Sequence, residues 1–201
     1  VHPPAGGGAL IEYTTEFLIN STEWLGNFGS NWGLVRESVN NVSVIIPTIS
    51  PYPGITVYNQ GTYFDIWRFA FKFNLSALPP AASMVSGYVS IKNSTGAGIT
   101  ACVQRAPTIG WNNKNDYLTF AGAAEDPQTI SGAEQKFDLS ADALAYCKAQ
   151  AGSYAYFIAR EYDHDYMNVT PLAGERFEAQ FYTHADADPA LRPTLTLVYK
   201  A

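Results

Sequence analysis

The run from Trp67 to Lys92 constrains the fold more than any other stretch, and it reads WRFAFKFNLSALPPAASMVSGYVSIK. Large apolar side chains occupy every second position of its first half: Trp67, Phe69, Phe71, Phe73 and Leu75. A period of two is typical of a strand that lays one face on a core. The segment Leu78-Pro79-Pro80 then breaks the strand, because proline lacks a backbone donor, and a second alternating run follows. Two core strands joined by a proline-rich corner predict a β-sandwich.

The composition of the 201-residue chain also favours strands over helices. Only 15% of the residues are charged, 14% are aromatic, and there are 16 Gly and 12 Pro. Helices would need more Lys, Glu and Arg on their solvent faces, whereas short strands need turns. We predict about ten strands and one short helix, over Ser140–Gln150, which Ser140 or Asp138 caps and Gly152 ends.

The chain divides into two predicted segments, residues 1–19 and residues 20–201. The first is an extended arm, in which a Pro/Gly stretch precedes a strand from Leu10 to Ile19. The second is the sandwich domain, which opens with an Asn- and Gly-rich loop over residues 20–33. Trp24, Phe28 and Trp32 in that loop either cap the sandwich or form an exposed aromatic surface. A second long loop is predicted over residues 107–132.

Charge and hydropathy exclude two classes of partner. The net charge is −6, with 12 Lys and Arg against 18 Asp and Glu. No basic patch is available to neutralise phosphates, so we expect no nucleic-acid binding. No apolar run approaches the roughly 20 residues of a transmembrane helix, so we expect no membrane span.

Five tripeptides match the N-glycosylation acceptor pattern, at Asn20, Asn41, Asn74, Asn93 and Asn168. Their density predicts a secreted, glycosylated protein that is extracellular or lies on the cell surface. In that compartment Cys102 and Cys147, the two cysteines of the chain, are expected to form a disulfide. The alternative is a pair of buried free thiols.

Three stretches resemble the DNRLRE domain, which is grouped with carbohydrate-binding module family 96. Arg68 to Ser86, RFAFKFNLSALPPAASMVS, is similar to the family's R-x-x-x-x-FDLS-x-LP-x-(G)A-x-V-x-SA pattern, with Asn74 in place of the aspartate. Phe137-Asp-Leu before a short helix fits the middle of the family, and LRPTLTLVY over 191–199 fits its closing RP-x-L-x-V-x-Y. The resemblance covers most of residues 30–199. It implies an all-β, jelly-roll-type antiparallel β-sandwich and a glycan-binding or structural surface protein.

The segment Glu161-Tyr-Asp-His-Asp-Tyr166 is the densest cluster of ligating side chains. Its carboxylates, Glu161, Asp163 and Asp165, follow a predicted strand, and Ca²⁺ favours several oxygen ligands. We therefore weigh a structural calcium site against a solvated acidic turn; no cofactor is otherwise required. The same carboxylates lack a facing partner set for glycoside hydrolysis, and no nucleophile motif is present. We predict that the protein is not an enzyme.

Four aromatic residues are candidates for stacking on sugar rings: Trp111, Tyr117, Tyr162 and Tyr166. Apolar ring faces of sugars pair well with aromatic faces, and neighbouring Asn or Asp side chains accept from hydroxyls. The alternative is that these rings belong to the core.

Two functions of different classes follow from these observations. In the first, the protein is a self-assembling filament or coat subunit, and residues 1–19 add a strand to the sheet edge of a neighbouring copy. In the second, it is a carbohydrate-binding module that binds a polysaccharide. The alternative for residues 1–19 is a frayed terminus followed by an ordinary first strand.

Overall fold

The computed structural model describes residues 11–48, 52–96, 98–107 and 113–201, and within them it contains eleven strands. The strands are β1 Glu12–Gly29, β2 Ser43–Ile45, β3 Tyr52–Asn59, β4 Phe64–Asn74, β5 Ser83–Thr95, β6 Thr100–Arg105, β7 Ala121–Thr129, β8 Glu134–Asp138, β9 Tyr154–Glu161, β10 Arg176–Phe181 and β11 Thr194–Lys200. The helices are α1 Trp32–Glu37 and α2 Ala141–Ala149, with 3-10 turns at Lys114–Leu118 and Pro189–Leu191 and a π turn at Tyr162–Tyr166. All strand pairings are antiparallel. The predicted all-β antiparallel sandwich is confirmed.

Two sheets form the sandwich, and strands β1 and β5 belong to both, since the end of β5 pairs with β10. Sheet A contains the first half of β1, followed by β11, β5 and β8. Sheet B contains β2, the second half of β1, β4, β9, β6 and β7, with β3 and β10 beside the first half of β4. Strand β1 crosses between the sheets at a bulge between Ile19 and Ser21. The predicted boundary between residues 19 and 20 therefore lies inside one continuous strand.

The main core lies between the sheets, and β4 contributes its largest side chains. Phe69, Phe71 and Phe73 are fully buried there, as their alternation predicts. A second apolar cluster lies on the outer face of sheet B, where α1 places Trp32 and Val35 over the sheet. Sheet B is thus covered on both faces along part of its length.

The two α-helices differ in how well the sequence predicts them. Helix α2 begins and ends within one residue of the predicted bounds, and Ser140 Oγ accepts from Ala143 N at 3.3 Å. Helix α1 lies partly inside the predicted loop 20–33, and β1 occupies most of that loop. In the same way, β7 lies inside the predicted loop 107–132. Within the described part of the chain, no helix is long and apolar enough to cross a membrane.

The predicted disulfide is wrong: Cys102 and Cys147 are both free and buried. Cys147 lies on α2 and packs into the main core. Cys102 lies on β6 between Ala101 and Val103, which point into that core, so its own side chain points to the opposite face of sheet B. The sheet therefore separates the two sulfur atoms.

Both thiols should be unreactive in the native protein. Burial raises the pKa of Cys102 and of Cys147 to about 12, so the nucleophilic thiolate is scarce at neutral pH. We expect an aromatic disulfide reagent to modify neither thiol in native buffer and to titrate two thiols once guanidinium unfolds the chain. If the unfolded, unreduced protein contained no titratable thiol, the two cysteines would be joined by a disulfide. That result would contradict their separation by sheet B.

Candidate binding face

The acidic segment after β9 is a buried ion network. Asp165 is fully buried between Arg68 of β4 and Arg160 of β9. Arg68 Nε and Nη2 donate to its two carboxylate oxygens at 2.8 and 2.6 Å, and Arg160 Nε and Nη2 donate to the same oxygens at 3.0 and 2.8 Å. Both guanidinium groups are therefore bidentate, which is the strongest geometry for such a pair.

The Nη1 groups of the two arginines also donate to acceptors within the protein. Arg68 Nη1 donates to the Tyr117 carbonyl at 2.5 Å, and Arg160 Nη1 donates to Gln104 Oε1 at 2.7 Å. Burial alone would raise the pKa of Asp165, but the two guanidinium groups outweigh it and hold this pKa well below its usual range. The network holds the turn at Tyr162–Tyr166 against the outer face of sheet B.

Glu161 caps that turn. Its carboxylate accepts from the backbone N–H groups of Asp163, His164 and Asp165 at 3.0, 2.7 and 3.0 Å. Burial raises the pKa of Glu161, although these hydrogen bonds oppose the shift. Its role in the local fold is that of an N-cap.

The three proposed calcium ligands face different partners. Asp165 binds two arginines, Glu161 binds backbone amides, and Asp163 is exposed. Across the described residues, no group of three or more His, Cys, Asp or Glu is arranged to hold a metal ion. A calcium ion that used Asp165 would have to displace guanidinium groups, so calcium at this turn stays a prediction that the packing does not favour.

The tyrosines proposed for sugar stacking have different environments. Tyr117 is fully buried, its ring lies 3.9 Å from the Arg68 guanidinium carbon, and its hydroxyl donates to the Val35 carbonyl at 2.9 Å. The stacking role is therefore wrong for Tyr117. Tyr162 and Tyr166 are half-buried and stack on each other at 5.2 Å between ring centroids. Trp111 lies outside the described residues.

The five predicted glycosylation sites lie at or near the surface. Asn20, Asn41, Asn74 and Asn168 are exposed, and Asn93 is half-buried. Asn168 has a positive φ of 58°, and its Oδ1 accepts from Trp32 Nε1 at 3.2 Å. Glycosylation itself stays a prediction.

A mixed aromatic and charged surface covers the inner face of sheet B at one end, and the strand register defines it. Two rows of paired residues cross β1, β4, β3 and β10 in that order. The first row consists of Phe28, Asp65, Tyr58 and Arg176, and the second consists of Gly26, Trp67, Thr56 and Glu178. Trp24 follows on β1, with Phe69 beside it on β4. We call this surface the tryptophan face; it comprises Trp24, Phe28, Thr56, Tyr58, Asp65, Trp67, Arg176 and Glu178.

Stacked indole rings form the apolar centre of the tryptophan face. The ring centroids of Trp24 and Trp67 are 3.5 Å apart, at an interplanar angle of 21°. Trp67 also lies on the backbone of Gly26, because a Cβ atom there would come within 2.1 Å of its ring. Glycine at position 26 therefore allows the indole to lie flat along the sheet. Beside the pair, Phe28 is 48% exposed.

Charged groups border the indole pair. A cleft of about 120 Å³ is lined by Trp24, Trp67, Thr56, Asp65, Arg176 and Glu178. Arg176 Nε donates to Glu178 at 3.0 Å, and the Arg176 guanidinium lies 5.5 Å from the centroid of the Tyr58 ring. The Trp67 side chain hydrogen-bonds to Asp65. A flat aromatic platform with adjacent hydrogen-bonding groups can hold a ring that has an apolar face and a polar edge.

The sequence points to only part of this surface. Trp24 and Phe28 are expected either to cap the sandwich or to be exposed, and they lie at its open end. Trp67 is expected in the core, because its alternation with Phe69 continues the core face. Arg176 and Glu178 lie about 110 residues farther along the chain, and only the register of β3 with β10 brings them to the same face.

No protein-family model matches the chain, and no curated protein matches it. Among solved structures, the chain is similar to "Structure of infectious bursal disease virus Gx strain", at 11% identity and a TM-score of 0.21, over 100% of this chain and 57% of that one. The Gt strain structure has 10% identity and a TM-score of 0.17, over 95% and 61%. The chain thus spans less than two thirds of these viral chains. The likeness carries no argument about function, and the DNRLRE resemblance stays a prediction.

Proposed function

We propose that the protein is a non-catalytic carbohydrate-binding protein that holds a polysaccharide on the tryptophan face. The observation that carries the proposal is the Trp24–Trp67 stack beside Asp65, Glu178 and Arg176. Pyranose rings present an apolar face of C–H groups and an equatorial belt of hydroxyls, so they need an aromatic platform with charged acceptors and donors at its edge.

The dimensions of the face support a surface-bound polymer over an enclosed small molecule. Enclosed ligand pockets typically measure about 300–1,000 Å³, whereas this cleft measures about 120 Å³. The cleft is therefore large enough for only one edge of a sugar ring. The half-buried Tyr58 and the exposed Phe28 extend the aromatic surface on either side of Asp65 for neighbouring rings.

Affinity electrophoresis tests the proposal. The native chain is run through gels that each contain one soluble polysaccharide, chosen to cover neutral, acidic and basic polymers, beside a reference protein of similar charge. We expect at least one polymer to retard the chain relative to the reference. Equal mobility in every gel, together with no binding to insoluble cellulose or chitin, would overturn the proposal.

Self-assembly is a second candidate, and the free edge of sheet A favours it. The first half of β1 pairs with β11 on one side, and no strand of the described chain covers its other side. Ile11, Tyr13 and Leu18 on this edge are 62%, 43% and 51% exposed. Exposed edges of this kind add strands from other chains. Residues 12–18 already pair within their own chain, so we propose edge addition here in place of strand donation.

Light scattering and negative-stain electron microscopy test assembly directly. Regular polymers would support it, and a clean monomer of 21.9 kDa plus any glycan would contradict it. Residues 1–10 of the proposed arm over residues 1–19 lie outside the described chain. The extracellular location also stays a prediction.

A further inference from the structure

His184 joins the connection between β10 and β11 to strand β1. Its Nδ1 atom accepts from the backbone nitrogen of Thr22 at 3.2 Å and lies 2.8 Å from the Thr22 hydroxyl oxygen. Thr22 is fully buried, and the residue opposite it on β4 is Phe71, which belongs to the main core. The imidazole thus holds the connection against β1, next to the bulge at which that strand crosses between the sheets.

These two contacts fix the protonation of the ring. A backbone N–H group can only donate, so Nδ1 of His184 must offer a lone pair to Thr22 and carries no proton. The proton of the neutral ring is then on Nε2. A second proton would bind to Nδ1 and would direct an N–H group at the N–H group of Thr22. The contact with β1 is therefore made by the neutral imidazole and is lost in the imidazolium.

Burial and positive charge oppose protonation of His184. Burial lowers its pKa, and the guanidinium of Arg192 lowers this pKa further. The Nε and Nη2 atoms of Arg192 donate to the carbonyl oxygen of Asp186, which keeps the guanidinium within the connection. On β5, the Nζ atom of Lys92 donates to the Ala190 carbonyl and adds a second cation beside the connection.

The nearby carboxylates are directed elsewhere. Oδ1 of Asp186 accepts from the backbone nitrogen of Asp188 at 2.9 Å. Glu23 follows the contacted threonine on β1, so the alternation of the strand directs its side chain to the opposite face of sheet B. Among the described residues, no carboxylate forms an ion pair with His184. An imidazolium at this position would therefore meet cations without a compensating anion.

The connection has much exposed surface and few attachments to β1. Ala185 and residues 187–190 are exposed. At its far end, the Pro193 carbonyl accepts from the backbone nitrogen of Ile19 at 3.3 Å. Segments with few buried contacts open locally at low free-energy cost. The contact of His184 is thus a main attachment of the connection to β1.

We propose that His184 is an acid-sensitive latch, whose neutral ring holds the connection over residues 182–193 against β1 and whose protonation releases it. In the released connection the ring is solvated and takes up a proton near the ordinary histidine pKa of about 6.5, whereas the closed latch disfavours that proton. The latch is therefore fully closed above this pH and opens as the pH falls below it. This device is independent of the proposed carbohydrate binding.

Amide hydrogen exchange at pH 7.5 and pH 5.0 tests the latch. The rates are compared as protection factors, which correct for the direct effect of pH on exchange chemistry. We expect the protection of the Thr22 amide and of residues 182–186 to fall at pH 5.0 by up to about 30-fold, the limit set by a released histidine with a pKa of about 6.5. Amides of α2 should keep their protection. Equal protection of the connection at both pH values would overturn the proposal.

His184→Asn is the variant that identifies the titrating group. The asparagine Oδ1 atom can replace Nδ1 as the acceptor for Thr22, and the amide does not titrate. We expect the protection of the connection to become independent of pH. His164→Asn is the matched control, since it removes the other histidine of the described chain and should keep the pH dependence. A pH dependence that survives His184→Asn would overturn the latch.

Nitrogen NMR of the imidazole rings tests the closed state without any substitution. At pH 7.5 we expect His184 to show an unprotonated Nδ1 and a protonated Nε2. A proton on Nδ1 at this pH, in either the neutral or the charged ring, would contradict the contact with Thr22 and overturn the proposal.

Discussion

Asp165→Asn should lower the free energy of unfolding by about 3–5 kcal/mol, the usual loss when one partner of a buried ion pair is removed. The carboxylate accepts four hydrogen bonds from Arg68 and Arg160, and both guanidinium groups are buried. The amide would present an N–H group to donors and would leave two positive charges uncompensated. For a domain of this size the melting temperature should fall by about 10 °C, measured by calorimetry and by urea titration.

Asp163→Asn is the matched control for that experiment. It makes the same chemical change two residues earlier, at an exposed side chain, so its effect should stay within about 0.5 kcal/mol. Equal stabilities of the two variants would contradict the network. Because the arginines lower the pKa of Asp165 in the folded state, its contribution is complete above the pKa of the unfolded chain. That contribution is lost as the pH falls through the folded-state pKa. The Asp165→Asn variant should therefore show a weaker acid dependence of stability.

Trp67→Ala should weaken polysaccharide binding by about 30-fold or more, which is the effect of losing a binding hot spot worth ~2 kcal/mol. The substitution removes the ring on which Trp24 stacks, and with it the support of the aromatic platform. Trp67→Phe should retain part of the affinity, because a smaller flat ring remains on Gly26. Titration calorimetry with the polymer that retards the chain most strongly measures both effects.

Tyr162→Ala is the control for Trp67→Ala, because Tyr162 is a half-buried aromatic residue outside the tryptophan face. The affinity of the Tyr162→Ala variant for the polysaccharide should match that of the unmodified chain. Near-ultraviolet circular dichroism and a urea titration check that each variant is folded. If the Trp67→Ala chain folds and binds the polysaccharide with unchanged affinity, the binding site lies elsewhere on the protein.

The strands and the longer helix follow from local patterns in the sequence. Phe69, Phe71 and Phe73 alternate with polar or small residues, and this alternation places them in the main core. Ser140 and Gly152 mark the ends of α2, because capping depends on neighbouring residues alone. Strand β1 is harder to predict: Asn, Gly and Ser disfavour strands, but pairing with β4 along residues 19–29 overrides this preference.

The buried network and the tryptophan face depend on long-range contacts that local patterns do not contain. Arg68 alternates with core residues, and this pattern alone predicts a solvent-facing cation. Its partner in the buried network, Asp165, lies 97 residues away in the sequence. Glu161, Asp163 and Asp165 are close in sequence and suggest shared metal ligation, but the turn directs them to different partners. Cys102 and Cys147 likewise lie on opposite sides of sheet B, because α2 packs Cys147 into the main core while the pleat of β6 turns Cys102 away from it.

The indole N–H resonances of the four tryptophans test the central claim most directly. Two-dimensional ¹H–¹⁵N spectra are recorded while an oligosaccharide of the retarding polymer is added, with each resonance assigned by a Trp→Phe variant. We expect the signals of Trp24 and Trp67 to shift together and to saturate with one dissociation constant, while the signal of Trp32 stays in place. Shifts confined to Trp111 or Trp32, with Trp24 and Trp67 unmoved at saturation, would contradict binding on the tryptophan face.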